Sequence, residues 1–420
     1  MRGPVRILSF LLAGGMGSRL GPMTWYRTKP AVPFGGQYRI VDFALSNFVN
    51  SGLHSIYVLT QFKSQELSEH INRAWSMGSL IRGQFITPVP AQMQTAGRTW
   101  YKGTADAIYQ NIPLILERKP EQIVVFGSDH IYKMDIEQMW EYHIEKKADA
   151  TIACLPTPIE EASRFGVIQI DDDWKIVGFE EKPEKPKPIP GRPDLALVSM
   201  GNYIFDTEFL KDALIDDAER EDSAHDFGRN ILPRSVQSHR LFAYDFRRNR
   251  IPGAKSEDNT YWRDIGTIES YWAASMDLRA TTPALDLYNR QWPIYGGHDG
   301  PPPIKFVHSE EGRTGRAVDS TVCGGTIISG GTVHSSIIGK YVRVNSFSSV
   351  DESILFDGVT VGRGAKLTRC IVDEQVVIEE NDCIGFDEDK DRERGFHVTD
   401  DGIVVVGRTP YGPNDPWRST

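Results

Sequence analysis

The chain has 420 residues, with 47 lysines and arginines against 57 aspartates and glutamates and a formal charge of −10. That length supplies about two or three domains, each with a sizeable core. The acidic balance argues against a general nucleic-acid or anionic-membrane binder, so any phosphate-bearing partner must meet locally concentrated positive charge.

Arg2, Arg6 and the apolar run Ile7 to Ala13 imitate a signal peptide, but the run is short and no A-x-A site follows. No segment approaches the roughly twenty apolar residues of a membrane span. Cys154, Cys323, Cys370 and Cys383 show neither CxxC nor metal-ligand spacing, so buried, reduced thiols and a cytoplasmic protein are expected.

Ile7 to Leu12 reads as a buried strand: short, apolar and followed at once by glycine. In LLAGGMGSRL, Gly14, Gly15 and Gly17 leave no β-carbons between the backbone N–H groups and an approaching anion. The next stretch is expected to start a helix, whose N-terminus would add a favourable dipole. The string is neither GxxxxGK[ST] nor GxGxxG, because Leu20 stands where the last glycine is required. Arg19, Arg27 and Lys29 follow closely, and three cations beside such a turn suggest a polyphosphate. A tight turn serving packing alone is the alternative.

Further strands are expected at Ser55 to Gln61, Gln122 to Ile131, Asp149 to Pro156 and Met200 to Asp206. ELSEHINRAW and DIEQMWEYHIEKKA carry apolar residues at helical spacing. This alternation predicts a mostly parallel, Rossmann-like sheet covered by helices, with ligands at the carboxyl ends of strands. Asp129 falls at such an end, and Asp264 in YWRDIGT is a second carboxylate; two together suit Mg²⁺, either alone a turn or cap. WYKGTADAI, Trp100 to Ile108, reads as a base-contacting wall or a helix start, and Glu181, Lys182, Ser199 and Asp226 are polar candidates for a second substrate. No GxSxG, HExxH or EF-hand pattern supports other chemistry.

Residues 1–280 are assigned to this domain and 281–315 to a linker, since Trp292 to Phe306 is rich in proline and glycine. In 316–420, Val322, Ile328, Val333, Ile338, Val344, Val350, Phe356, Val361, Leu367, Val372, Ile378 and Ile384 recur at hexad spacing. That pattern predicts a parallel β-helix with one inward aliphatic residue per strand, against the alternative of a two-sheet sandwich.

GGMGSRL, RTKPAVPFGG, RIVDFALSN, WYKGTADAI, GSDHIYK, FEEKP, ASMGNYIF, HDFG, YWRDIGT and the hexads together resemble the glucose-1-phosphate adenylyltransferases, in order and over nearly the whole chain. The resemblance implies Mg²⁺-dependent reaction of ATP with α-D-glucose 1-phosphate, giving ADP-glucose and pyrophosphate for glycogen synthesis. It also implies a left-handed β-helix, a homotetramer and allosteric control by small metabolites. Carried onto matching positions, Asp129 and Asp264 hold the metal, while Arg19 and Lys29, catalytic with Asp129, face the ATP phosphates. Lys182 takes the sugar phosphate with Glu181, Ser199 and Asp226 around the glucose, and Gly14, Gly15, Gln92, Tyr101 and Gly103 line the nucleotide site. Met16 stands where many bacterial members carry arginine, which bears on phosphate affinity; Gln37 stands where members activated by fructose 1,6-bisphosphate often carry lysine, and Leu53-His54-Ser55 lacks paired arginines, so a weak response to that effector, or none, is expected. Two readings stay open beside this one: a transferase using UTP or dTTP, and a regulatory subunit that binds without catalysing.

Overall fold

The computed structural model describes residues 7–15, 17–76, 83–91, 100–254, 260–297, 300–308 and 313–408. Ile7–Ala13 lies at the centre of a nine-stranded sheet, between Ser55–Thr60 and Gln122–Gly127, both parallel to it; Phe85–Pro90 extends the parallel set. Leu195–Asp206 enters antiparallel to Gln122–Gly127 and carries the other half of the sheet, pairing with Ala150–Pro158 and Gly166–Ile170. Both faces of the central strands are buried: Phe10, Ile123 and Val125 pack with Phe205 on one side, Leu11, Val124 and Phe126 with Phe48 and Met139 on the other. Two covered faces explain why these strands read as continuous apolar runs rather than alternating ones.

The segment after the glycine turn corrects one expectation. Ser18–Thr24 forms 3₁₀ turns kinked at Gly21 (φ 52°, ψ −129°) with Pro22 inside, so no α-helix starts there and this segment adds no α-helix dipole at the turn.

The described residues between 281 and 304 form no helix or strand, yet residues 292–295 are strapped to the first domain. Trp292 and Ile294 are buried, Asn50 Nδ2 donates to the Pro293 carbonyl and the Tyr295 N–H donates to Ser46 Oγ. Lys305–Val307 already belongs to the second domain.

That domain is a left-handed β-helix built of three sheets of short parallel strands, with His397–Val398 added antiparallel at the end of one. Ile328, Val333, Ile338, Val344, Val350, Val361, Leu367, Val372, Ile378 and Ile384 fill its interior as the hexads predict, and Val322 is partly buried against them. Phe356 does not: Leu355 is the inward residue, and Phe356 faces the first domain with its ring 6.3 Å from that of Tyr271. One sheet is apolar on both faces, because Ile337, Ile354, Ile371 and Val405 stand next to inward Ile338, Leu355, Val372 and Val406. Its outer residues bury against Leu20, Val32, Phe34, Ile40 and Tyr271, which joins the two domains into one hydrophobic cluster. Cys154, Cys323 and Cys370 are buried free thiols, but Cys383 is exposed, since it precedes inward Ile384 and alternate strand residues face opposite ways. Among the described residues no helix is long and apolar enough to cross a membrane.

Candidate active site

A cleft of about 580 Å³ opens at the carboxyl ends of the central parallel strands. Its floor is the glycine turn. Gly17 takes φ +66°, and a β-carbon there would sit 2.8 Å from Lys29 Cβ, so both conformation and space require glycine. The turn is latched from behind: Thr28 Oγ1 donates to the Gly15 carbonyl at 3.1 Å and Thr24 Oγ1 to the Gly17 carbonyl at 3.1 Å. Gly14 and Gly15 line the cleft, and among the described residues no atom beyond its chain neighbours lies within 4 Å of where a Gly15 β-carbon would be.

Strand pairing brings the two distant aspartates together. After Gln122–Gly127 the chain breaks at Ser128 and Asp129, and His130–Tyr132 then pairs antiparallel with Trp262–Asp264, setting His130 opposite Asp264. Lys29 bridges the carboxylates: its Nζ, almost fully buried, lies 3.1 Å from Asp129 Oδ2 and 3.3 Å from Asp264 Oδ1. Burial acts to raise the Asp129 carboxyl, but Lys29 and then His130 outweigh it and hold the group well below the usual carboxylate range. One ligand atom each from Asp129, His130 and Asp264 fall within 4.8 Å of one another. Two carboxylate oxygens at that separation fit a hard divalent cation, with Lys29 leaving the pair one net negative charge.

Arg19 is exposed at the rim, makes no ion pair among the described residues, and reaches over Gly266, whose β-carbon would meet its Nη2 at 2.9 Å. Arg27, expected beside it as a phosphate cation, is elsewhere: it is wholly buried and salt-bridged to Glu66, Asp373 and Glu374. Burial on that scale demands anionic partners, and these lie at the domain junction, away from the cleft.

The opposite wall holds Glu181, Lys182 and Asp226. Lys182 ends the Ile176–Glu181 strand in a left-handed conformation (φ 48°), with Nζ exposed 3.4 Å from Glu181 Oε1. Burial pushes the Glu181 carboxyl up, with Lys182 opposing and Asp226 adding to the shift. Asp226 accepts from Thr104 Oγ1 at 2.9 Å, which ties it to the start of the Thr104–Tyr109 helix. Gly103 is forced by contact, since a β-carbon would lie 2.4 Å from the His225 carbonyl oxygen. Ser199 stands behind this wall at a bulge in Leu195–Asp206, its Oγ accepting from the Gly201 N–H at 3.2 Å. Tyr101 and Gly103 line the cleft together with the glycines, Trp100 is exposed, and Gln92 and Met16 lie outside the described residues.

Sequence reasoning missed Gln61, Ser128, His130, Thr104 and Tyr203, all of which line the cleft. Gln61 was reachable, because it follows the carboxyl end of Ser55–Thr60; its Oε1 accepts from the Tyr101 N–H at 2.6 Å and fixes that ring's segment.

Comparison with known proteins agrees with this geometry. Residues 8–281 match the nucleotidyl transferase family model and residues 302–406 the model described as GlmU-like, C-terminal hexapeptide. The chain is 54% identical over 406 residues to a glucose-1-phosphate adenylyltransferase of Thermus thermophilus, covering 96% of this chain and 98% of that one. It is 50% identical over 405 residues to the enzyme of that name from Deinococcus radiodurans, with the same coverage. Against glucose-1-phosphate adenylyltransferase 1 of Vibrio vulnificus it is 51% identical over 400 residues, covering 95% and 97%.

Proposed function

This chain belongs to the glucose-1-phosphate adenylyltransferases, and we propose that it uses the cleft to transfer AMP from ATP to α-D-glucose 1-phosphate, releasing pyrophosphate and forming ADP-glucose for glycogen synthesis. The observation that carries the mechanism is the Asp129–Lys29–Asp264 bridge beside the glycine turn. In this reading the Gly14 and Gly15 backbone lies against the triphosphate, and Lys29 and Arg19 neutralise charge that gathers on the departing pyrophosphate. Lys182 receives the sugar phosphate, while Glu181 and Asp226 accept hydrogen bonds from the glucose hydroxyls. Ser199 acts from behind, by fixing the bulge at Gly201. A sugar-phosphate oxygen attacks the α-phosphorus in line as the bond to the β-phosphate oxygen breaks, so positioning and charge neutralisation suffice without a covalent enzyme intermediate. Asp129 and Asp264 are the residues that would hold Mg²⁺, which when bound supplies further neutralisation of the triphosphate.

We also infer a homotetramer that responds to small metabolites, supported by apolar side chains left exposed on the β-helix at Val318, Val377 and Phe386. Gln37, at the exposed edge of the domain junction, donates to Tyr38 Oη at 2.8 Å and offers no charge to a bisphosphate, which supports a weak response to fructose 1,6-bisphosphate. The test of the activity is pyrophosphate release from glucose 1-phosphate with ATP, UTP or dTTP in Mg²⁺. ATP is expected to be the fastest by orders of magnitude; equal or greater rates with UTP or dTTP, or no turnover, would overturn the reading.

A further inference from the structure

The turn that carries Lys29 is gripped from both ends by the β-helix. Lys29–Ala31 is a single 3₁₀ turn with Pro30 inside, so its backbone has little freedom of its own. On its N-terminal side Arg27 sends Nη1 to Asp373 at 2.8 Å, Nη2 to Glu374 at 2.8 Å and Nε to Glu66 at 2.9 Å. On its C-terminal side the Ala31 carbonyl accepts from Arg39 Nη1, and Arg39 Nη2 lies 3.2 Å from the other oxygen of Glu374. Glu374 thus takes one arginine from each end of the turn. Arg408, just beyond the Val404–Val406 strand, closes the cluster on Glu66 and Glu374, so three arginines and three carboxylates interlock at the junction.

Adhesion does not account for this cluster. The junction already buries an extensive aliphatic and aromatic surface, and a buried ion pair adds little stability over apolar packing of the same volume. What a forked, fully hydrogen-bonded arginine does supply is register. Three consecutive residues each address a different part of the molecule: Arg27 the β-helix, Thr28 the Gly15 carbonyl, and Lys29 the two cleft carboxylates. A displacement of Asp373 and Glu374 is therefore transmitted within two residues to the Lys29 ammonium.

Resting on the reading of the cleft given above, we propose that Arg27 is a positioning residue through which the β-helix carboxylates Asp373 and Glu374 set the placement of Lys29. The second domain is then part of the catalytic geometry, although among the described residues it lends no side chain to the cleft.

The experiment is a double-mutant cycle between Asp373→Asn and Lys29→Met on the full chain, with kcat, both KM values and the unfolding midpoint measured for each protein. Wild-type turnover of ATP and glucose 1-phosphate is read first, so loss of the functional reading shows independently of the cycle. Asp373→Asn is expected to lower kcat about tenfold while KM for glucose 1-phosphate stays within about twofold, because Glu181 and Lys182 sit at the end of the Ile176–Glu181 strand rather than on the turn that carries Lys29. In the Lys29→Met background the same change should alter kcat by less than about twofold, whereas its effect on the unfolding midpoint should persist. Glu374→Gln, whose carboxylate is less deeply buried, is measured in parallel and covers the case in which Asp373→Asn does not fold. A lowered midpoint with unchanged kcat, or the same fold-loss in both backgrounds, would overturn the proposal.

Discussion

Replacing Lys29 with methionine keeps the stem and removes the ammonium that stands 3.1 Å from Asp129 and 3.3 Å from Asp264. At an effective dielectric of about 20, each unit pair at that distance attracts by about 5 kcal/mol, an upper bound that solvent reduces because Asp129 is 44% exposed. Two effects of opposite sense follow. In the free protein the carboxylate pair changes from one net negative charge to two, so a divalent cation should bind more tightly, by about tenfold or more. In turnover a cation aimed at the developing pyrophosphate charge is lost, and one such donor contributes about 3–4 kcal/mol, or 10²–10³ in kcat. Calorimetric titration with Mn²⁺ in the absence of nucleotide reads the first effect, and pyrophosphate release at saturating Mg²⁺ reads the second. Weaker Mn²⁺ binding together with a kcat within about tenfold of wild type would refute the assignment of Lys29 as both a partner of the carboxylates and a catalytic cation.

Because burial raises the Glu181 carboxyl, KM for glucose 1-phosphate should climb as pH falls through that raised value, and Glu181→Gln should flatten the acid limb; an unchanged profile would remove Glu181 from sugar binding. Gly103→Ala puts a β-carbon 2.4 Å from the His225 carbonyl oxygen, so it should displace the loop bearing Asp226, raise KM for glucose 1-phosphate and cost about 1–3 kcal/mol of stability in a denaturant titration. An alanine variant with wild-type KM would count against that coupling. Burial lowers His143 to about 4, with its Nδ1 on Thr151 Oγ1. Its folded value lies below its unfolded one, so the associated stability is present above about pH 6.5 and drains away between there and about pH 4, by about 3 kcal/mol. His143→Gln should lose that part of the pH dependence in urea titrations, and identical slopes for the two proteins would exclude it.

Much of this arrangement was legible because single side chains constrain it. The central strands announced themselves as apolar runs ending in Gly14 and Asp129, and strand ends in such sheets are where ligands gather. Arg27 was misread because proximity in sequence to Arg19 and Lys29 says nothing of direction; its true partners, Asp373 and Glu374, are hundreds of residues away. The hexads placed ten inner residues but mistook Phe356 for Leu355, since an apolar doublet leaves open which member faces in. The doublets Ile337-Ile338, Ile354-Leu355 and Ile371-Val372 were themselves the missed signal: a strand apolar on both faces needs a second body to cover its outside. The antiparallel entry of Leu195–Asp206 had no local mark, because buried strands of either direction share one composition.

Adenylyl transfer in this cleft requires Asp129 and Asp264 to act as one unit, and the direct measurement is the rate of pyrophosphate release by Asp129→Asn, Asp264→Asn and the double variant. Each single change should lower turnover by about 100-fold or more, and the double variant should fall less than about tenfold further. Losses that multiply, or either single variant turning over at the wild-type rate, would contradict it.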